Sequence, residues 1–231
     1  MYLDADDMFT PRAVEVLYNE IRGHDYDILR SSFIREQRNR PDLKMASTDN
    51  IITWFHGKIY KVQYLREKGL HFLPGLRTDE DAYFNMVAWN STKKLGMLDE
   101  VTYIWRDNKN SVTRGRPVKE YFMDTHMNYM GGQIQALKDL FKINDEVQQK
   151  LLTNALVNLY YYYMRAMFYG CDQEEMDKEF STLRDEGWMQ VWLQTGQNWV
   201  DVVQMLKGGA RIDEENIIFY ESHSFFLPAI L

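Results

Sequence analysis

The chain begins Met1-Tyr2-Leu3-Asp4-Ala5-Asp6-Asp7-Met8-Phe9-Thr10-Pro11, a short apolar run followed by three carboxylates within four positions. This pattern predicts a strand over 1–3 that delivers clustered negative charge to a turn. Thr10 and Pro11 then predict the start of a helix. Three acids this close repel one another unless water solvates them or a cation neutralises them. The spacing alone leaves two interpretations open: an acidic turn ahead of a helix dipole, or a carboxylate site for a cation.

An EF-hand calcium loop is excluded by the residues that follow the acids. Asp4, Asp6 and Glu15 could take loop positions one, three and twelve. Met8 would then stand at the fifth position, and Phe9 would replace the required glycine. We therefore interpret the acids as a two- or three-carboxylate site for a cation that is shared with a ligand.

A second acidic stretch, Thr78-Asp79-Glu80-Asp81-Ala82-Tyr83-Phe84, lies ahead of an apolar stripe with helical spacing. Thr78 is expected to cap this helix, and Phe84, Val87 and Ala88 are expected to form its buried face. Acids in a first helical turn stabilise the helix without any other role. On its own, the stretch leaves open whether Asp81 serves the helix or takes part in chemistry.

Together, the two acidic stretches resemble a known family. Leu3-Asp4-Ala5-Asp6-Asp7 resembles the Asp-x-Asp segment of family 2, GT-A-fold glycosyltransferases, and Glu80-Asp81-Ala82-Tyr83-Phe84 resembles their Glu-Asp-x-x-Phe segment. The resemblance implies inverting transfer of a sugar from a nucleotide-sugar donor to a saccharide or other hydroxyl acceptor. It also implies that Asp4 and Asp6 serve the donor ribose and a divalent metal (Mn²⁺ or Mg²⁺), with Asp7 assisting. Asp81 would be the catalytic base.

Two further segments extend the resemblance. His56-Gly57-Lys58-Ile59-Tyr60 resembles a Gly-Lys-Leu-Tyr-like segment of the family, which makes His56 a candidate to face the donor phosphates. A structural histidine beside Trp54 is the alternative. Residues 101–114 are similar to the strand and turn near the diphosphate. There Arg114 is a candidate to clamp phosphate oxygens, with a surface arginine as the alternative.

These patterns and the resemblance predict an α/β fold, a partial GT-A (Rossmann-like) mixed sheet followed by an α-helical C-terminal region. The metal and acceptor half of a catalytic domain is assigned to residues 1–115, and a helical appendage to 116–231. In the first helix, Val14, Leu17, Tyr18 and Ile21 are expected to form the buried stripe. Strands are expected at 26–29, 32–34, 51–60 and 101–108, and a helix is expected from Pro117 towards Leu140.

The nucleotide-binding strands that precede the acids in the family have no counterpart in this sequence. Three explanations stay open: a second chain, a homo-oligomer or a neighbouring domain completes the sheet, the start of the sequence is a truncation, or the fold is degenerate. The alternative function, from another class, is a non-catalytic or split-enzyme module that binds a sugar or a partner chain.

The composition limits the other function classes. A net charge of -7 over 231 residues argues against a nucleic-acid-coated surface. Cys171 is the single cysteine, which excludes an intrachain disulfide and a paired-cysteine metal site and fits a reducing compartment. No apolar run approaches the roughly 18 residues that a membrane span needs. We therefore expect a cytoplasmic protein without a transmembrane segment or a nucleic-acid partner.

Overall fold

A computed structural model of the chain describes residues 1–36, 43–45, 53–108, 111, 117–143, 169–172, 174, 178 and 181. The chain divides into two compact units, Met1–Pro117 and Val118–Leu231. The first unit has the mixed α/β fold that the sequence predicts, and the second begins with a long helix. In the part of the chain that is described, no helix has the length and apolar character needed to cross a membrane.

The described residues of the first unit form one mixed sheet with helices. The strands are β1 (Met8–Phe9), β2 (Ile28–Arg35), β3 (Leu43–Met45), β4 (Lys58–Tyr60) and β5 (Leu95–Trp105), and the helices are α1 (Ala13–Gly23), α2 (Val62–Glu67) and α3 (Glu80–Asn90). The strand order is β1-β5-β2-β3, and β4 also pairs with β2. The β2–β5 pair is parallel, whereas β1 pairs with β5, and β3 and β4 pair with β2, antiparallel.

Strand β2 lies in the middle of this sheet and is buried over most of its length. Ile28 and Leu29 are fully buried, as is the polar Ser32. Its buried hydroxyls have partners: Ser32 Oγ donates to Asp99 Oδ1 at 3.1 Å, and Ser31 Oγ donates to the Gly57 carbonyl at 2.9 Å. A strand covered on both faces needs such internal hydrogen bonds, because water cannot reach its polar groups. The two strands predicted at 26–29 and 32–34 form this one continuous strand.

The strand expected over residues 1–3 does not form. The ring of Tyr2 instead packs against four aromatic rings at centroid distances of 4.5 to 5.8 Å, those of Phe55, Tyr60, Phe72 and Phe84. The ladder begins only at β1, where Met8 lies opposite Ile104 and Phe9 lies opposite Tyr103. The chain start is thus held by aromatic packing and not by strand pairing.

Helix α1 begins later than predicted and buries a narrower face. The hydroxyl of Thr10 donates to the Val101 carbonyl at 3.0 Å, so it fixes the loop to β5 and does not cap the helix. Leu17 is fully buried as expected, whereas Val14 and Tyr18 are 59% and 52% exposed, contrary to the prediction. The helix lies on the sheet through the line of Ala13 and Leu17, and its outer side faces water.

Helix α3 occurs where the sequence predicts a helix. Phe84, Val87 and Ala88 of α3 are buried as expected. The cap differs from the prediction: Asp79 is the N-cap residue at a left-handed φ of 60°, and no side chain caps the helix. In the described part of the stretch predicted as one strand, residues 53–60, β4 covers residues 58–60 and residues 56–57 form a turn.

In the second unit, helix α4 (Val118–Ile143) confirms the helix predicted after Pro117. Its buried side chains recur at helical spacing and include Phe122, Met130, Ile134, Leu137 and Leu140. The Phe122 ring stacks on His126 at a centroid distance of 5.7 Å and meets Tyr169 at 5.3 Å. The four consecutive tyrosines at 160–163 and most of the helical patterns beyond them lie outside the described residues.

Gly57 closes the turn ahead of β4 in the left-handed region, with a φ of +65°. A Cβ at this position would lie 2.7 Å from Ser31 Oγ and 2.8 Å from the Ser31 carbonyl oxygen. Gly69 has a similar φ of +63°, but a Cβ there would meet nothing within 4 Å. The two glycines therefore separate backbone strain from a close approach to β2.

Gly57→Ala is expected to lower the free energy of unfolding by about 2 kcal/mol or more, because left-handed strain adds to the displacement of β2. Gly69→Ala carries the strain alone and is expected to cost about 1 kcal/mol. Urea titration of both variants measures the difference between these losses. Equal losses would show that a Cβ at residue 57 is accommodated without displacing Ser31 of β2.

Candidate functional site

The fold brings the two acidic stretches together. The Tyr2 ring lies 5.6 Å from the Phe84 ring of α3 and 5.1 Å from the Phe72 ring in the loop before this helix. The pKa of Asp4 is raised by partial desolvation of its carboxyl and by the negative charges of Asp6 and Glu80. Glu80, at the start of α3, is therefore close enough to raise the pKa of Asp4 in the turn at residues 4–7.

Asp7 is the buried member of the first acidic stretch. Its backbone N–H donates to the Asp4 carbonyl at 3.1 Å, which closes the turn. The side chain accepts two hydrogen bonds from the end of β5 and the residue that follows it. The Tyr103 hydroxyl donates to Oδ2 at 2.6 Å, and the Arg106 N–H donates to Oδ1 at 2.9 Å. Both carboxylate oxygens are thereby fixed in place.

Asp4, Asp7 and His56 form a cluster that could hold a metal ion. One ligand atom of each residue lies within 4.8 Å of those of the other two. His56 Nε2 is 4.0 Å from Asp7 Oδ2. Asp4 is exposed and the other two residues are buried, so the cluster opens to solvent on one side. Two carboxylates and an imidazole are a donor set that suits a divalent transition metal such as Mn²⁺.

The electrostatics of the first stretch favour a cation. The pKa of Asp7 is raised by burial and by the charges of Asp4 and Asp6, while the hydrogen bonds from Tyr103 and Arg106 lower it. A positive charge beside these carboxyls would favour their ionised forms. The repulsion between these acids can thus be relieved by binding a cation.

Asp6, predicted as a metal ligand, lies outside this cluster. Its exposed carboxylate accepts a hydrogen bond from Asn108 Nδ2 at 2.8 Å. Of the residues that the sequence predicts for the site, the structure brings together Asp4, Asp7 and His56. Arg114 lies outside the described residues.

Asp81 occupies a different environment at the start of α3. Its Oδ1 accepts the N–H of Ala82 at 2.8 Å. Burial raises the pKa of Asp81 to about 7, and the charges of Glu80 and Asp79 add to this effect, whereas the Ala82 hydrogen bond and the charge of Lys58 oppose it. Burial likewise raises the pKa of Asp79 to about 6. A carboxyl with a pKa near neutrality can both accept and release a proton.

A buried lysine lies beneath the start of α3. Lys58 is 3% exposed, and its Nζ donates to the Trp54 carbonyl and to Asn85 Oδ1, the latter at 3.4 Å. Asn85 Nδ2 in turn donates to the Asp81 carbonyl at 2.9 Å. Burial lowers the pKa of Lys58 to about 7, against the favourable charge of Asp81. The network thus connects β4 to the first turn of α3.

The residues that the sequence did not reveal are those that hold the acids from elsewhere in the fold, namely Tyr103, Asn108 and Lys58. The alternation along 101–108 indicates that Tyr103 faces the interior. The register of β1 on β5 is needed to show which carboxylate it meets. That register depends on contacts between distant segments, which leave no local pattern in the sequence.

Comparisons with known proteins find a relative by sequence and similar folds among solved structures. The chain is 26% identical over 146 residues to EpsJ of Bacillus subtilis (strain 168), described as an uncharacterized glycosyltransferase. The match covers 54% of this chain and 42% of EpsJ, so it spans less than half the length of that relative. No protein-family model matches the chain.

The fold is similar to that of solved structures of S. aureus TarS. TarS 1–349 in complex with UDP-GlcNAc has a TM-score of 0.61 and 15% identity, covering 99% of this chain and 67% of that chain. TarS 1–349 in complex with UDP has a TM-score of 0.54 and 16% identity, covering 99% and 66%. At this level of identity the similarity establishes the fold, and the mixed α/β class predicted from the sequence is confirmed.

The raised pKa of Asp81 has a measurable effect on stability. Between its ordinary value of 3.8 and about 7, the folded protein keeps a proton at Asp81 that the unfolded chain has lost. The contribution of this carboxyl to stability therefore falls as the pH rises through this window. Relative to Asp81→Asn, the wild type is expected to lose unfolding free energy from about pH 4 to about pH 7 and to change little above. Urea unfolding across this range measures the difference, and parallel curves would show that Asp81 titrates at its ordinary value.

Proposed function

We propose that this chain transfers a sugar from a nucleotide-sugar donor to a hydroxyl acceptor. The observation that carries this proposal is that the two acidic stretches lie near each other: the Tyr2 ring lies 5.6 Å from the Phe84 ring of α3, and the charge of Glu80 adds to the raised pKa of Asp4. Asp4 and Asp7 lie with His56 in a cluster suited to a cation, and Asp81 stands at the start of α3 with a pKa near 7. The sequence similarity to a protein described as a glycosyltransferase supports the proposal, as does the fold shared with TarS in complex with UDP-GlcNAc.

Asp81 is proposed as the general base. A sugar hydroxyl is a poor nucleophile, and a carboxylate within hydrogen-bond reach can take its proton during attack. In the proposed step the acceptor oxygen bonds to the anomeric carbon while its proton passes to Asp81. The bond from that carbon to the diphosphate oxygen breaks, and its electron pair leaves on the nucleoside diphosphate. A single displacement of this kind inverts the anomeric configuration.

Asp4, Asp7 and His56 are proposed to hold a divalent metal, and Asp6 at the exposed rim is proposed to contact the donor ribose. When bound, a divalent ion would neutralise the charge that develops on the departing diphosphate. The imidazole of His56 favours Mn²⁺ over Mg²⁺, because Mg²⁺ binds almost exclusively through oxygen. We propose UDP as the first nucleotide to test, since the TarS structures contain UDP-GlcNAc and UDP.

A split arrangement, in which another chain completes the sheet, is the second candidate. Among the described residues, β5 pairs with β1 only at Tyr103 and Ile104, and its earlier residues form no ladder on that side. An open strand edge is a place where a further strand can add. Light scattering tests this arrangement, and a strictly monomeric chain that transfers sugar contradicts it.

Asp81→Asn is expected to reduce sugar transfer by about 100-fold or more, because the amide cannot accept the acceptor's proton. Stabilisation of the protein by UDP with Mn²⁺ is expected to persist, since Asp81 lies outside the metal cluster. Transfer is measured as release of the nucleoside diphosphate from a panel of nucleotide sugars. Asp25→Asn is the control, because Asp25 is an exposed carboxylate paired with Lys94 at the surface. Undiminished transfer in Asp81→Asn removes Asp81 from the role of base.

Mn²⁺ together with UDP is expected to raise the melting temperature of the wild type, since ligands that bind only the folded state stabilise it. Asp7→Asn and His56→Gln are each expected to remove most of this increase, and Asp25→Asn is expected to retain it. Differential scanning fluorimetry with and without each ligand measures the shift. A full shift in His56→Gln would contradict the assignment of His56 as a ligand.

A further inference from the structure

We propose that Tyr103 is a positioning residue that holds the carboxylate of Asp7 in the orientation required for metal binding. This inference rests on the proposed metal site of Asp4, Asp7 and His56. It concerns a residue of β5 that would not contact the metal and to which the sequence patterns assigned no role in the site.

Tyr103 touches both buried members of the metal cluster. Its hydroxyl donates to Asp7 Oδ2 at 2.6 Å, and its ring lies 4.9 Å from the His56 ring with an interplanar angle of 32°. The ring of Phe9 meets Tyr103 edge-on at 5.8 Å. Tyr103 is 1% exposed, so its rotamer is set by the core and by the register of β1 on β5. One rigid side chain therefore fixes the relative positions of a carboxylate and an imidazole.

The hydrogen bond leaves Asp7 able to bind a cation. Each carboxylate oxygen has two lone pairs, and the Tyr103 hydroxyl uses one of those on Oδ2. The Arg106 N–H uses one on Oδ1. Asp7 is thus held at both oxygens while each oxygen retains a lone pair for a metal.

Partners that orient metal ligands affect metal affinity. Loss of such a partner typically weakens binding by about 10- to 100-fold. The ligand side chain is then free to rotate, and part of the binding free energy is used to fix its orientation. Tyr103→Phe removes the hydroxyl and keeps the ring that packs on His56. We expect it to weaken Mn²⁺ binding to the whole chain by about tenfold.

The experiment measures the Mn²⁺ dissociation constant by the electron paramagnetic resonance signal of the free ion, with Mn²⁺ alone as the probe. Tyr64→Phe is the matched control. Tyr64 is also buried, and its hydroxyl donates to the Ala88 carbonyl at 2.5 Å, away from the cluster. Tyr64→Phe is expected to bind Mn²⁺ like the wild type. Thermal unfolding of both variants verifies that each is folded at the temperature of the measurement.

A double-variant comparison separates positioning from a general structural effect. If Tyr103 acts through Asp7, adding Tyr103→Phe to Asp7→Asn is expected to cause no further loss of Mn²⁺ affinity. This double variant also removes both partners of the hydrogen bond, so no buried carboxylate is left without its donor. An equal loss in both backgrounds would overturn the proposal, because the effect would then not pass through Asp7.

The other outcomes are equally decisive. A dissociation constant for Tyr103→Phe within about twofold of the wild type overturns the positioning role, since the expected change is about tenfold. A wild-type chain that binds no Mn²⁺ overturns the metal site and this inference together. A wild-type chain that binds Mn²⁺, loses affinity in Tyr103→Phe and transfers no sugar supports the inference while rejecting the proposed reaction.

Discussion

The buried carboxylate of Asp7 joins the turn at residues 4–7 to the far end of the sheet. The Tyr103 hydroxyl and the Arg106 N–H hold its two oxygens, and β1 begins immediately after it. A buried carboxylate without donors would cost several kcal/mol, so turn and strand must be brought together for either to be stable. The same contacts place Asp4 and His56 around Asp7. The requirement to satisfy one buried charge therefore builds the candidate metal cluster.

The fold disfavours the ionised forms of the carboxyls at the candidate site. Desolvation raises the pKa of Asp4, Asp7 and Asp81, and neighbouring acids add to each of these shifts. Burial lowers the pKa of Lys58 in the same region. Each shift means that the folded state is less stable at neutral pH than it would be if the group kept its ordinary pKa. Groups with perturbed pKa values concentrate at functional sites, where a bound cation relieves the repulsion or a proton transfer uses the shifted pKa.

The sequence predicted the fold class and, among the described residues, helices α3 and α4, because these depend on local patterns. Phe84, Val87 and Ala88 recur at helical spacing, and they are buried in α3 as expected. Predictions that required distant partners were wrong, such as a strand at residues 1–3 and a capping role for Thr10. The Thr10 hydroxyl bonds to the Val101 carbonyl of β5, a contact that no local rule contains. The predicted burial of Tyr18 was wrong for the same reason, since the packing of α1 on the sheet decides which face of the helix is covered.

The same distinction explains which site residues could be found in advance. Asp4, Asp7 and Asp81 lie in dense acidic stretches, where charge repulsion is visible in the sequence. Tyr103 has an ordinary strand pattern around it, and its importance comes from the antiparallel register that sets Phe9 opposite it. Candidate ligands are thus easier to recognise than the residues proposed to orient them, because ligand chemistry needs particular side chains whereas orientation needs only a donor at the right place. A tyrosine in a buried strand becomes informative only when the structure shows that its hydroxyl meets a carboxylate.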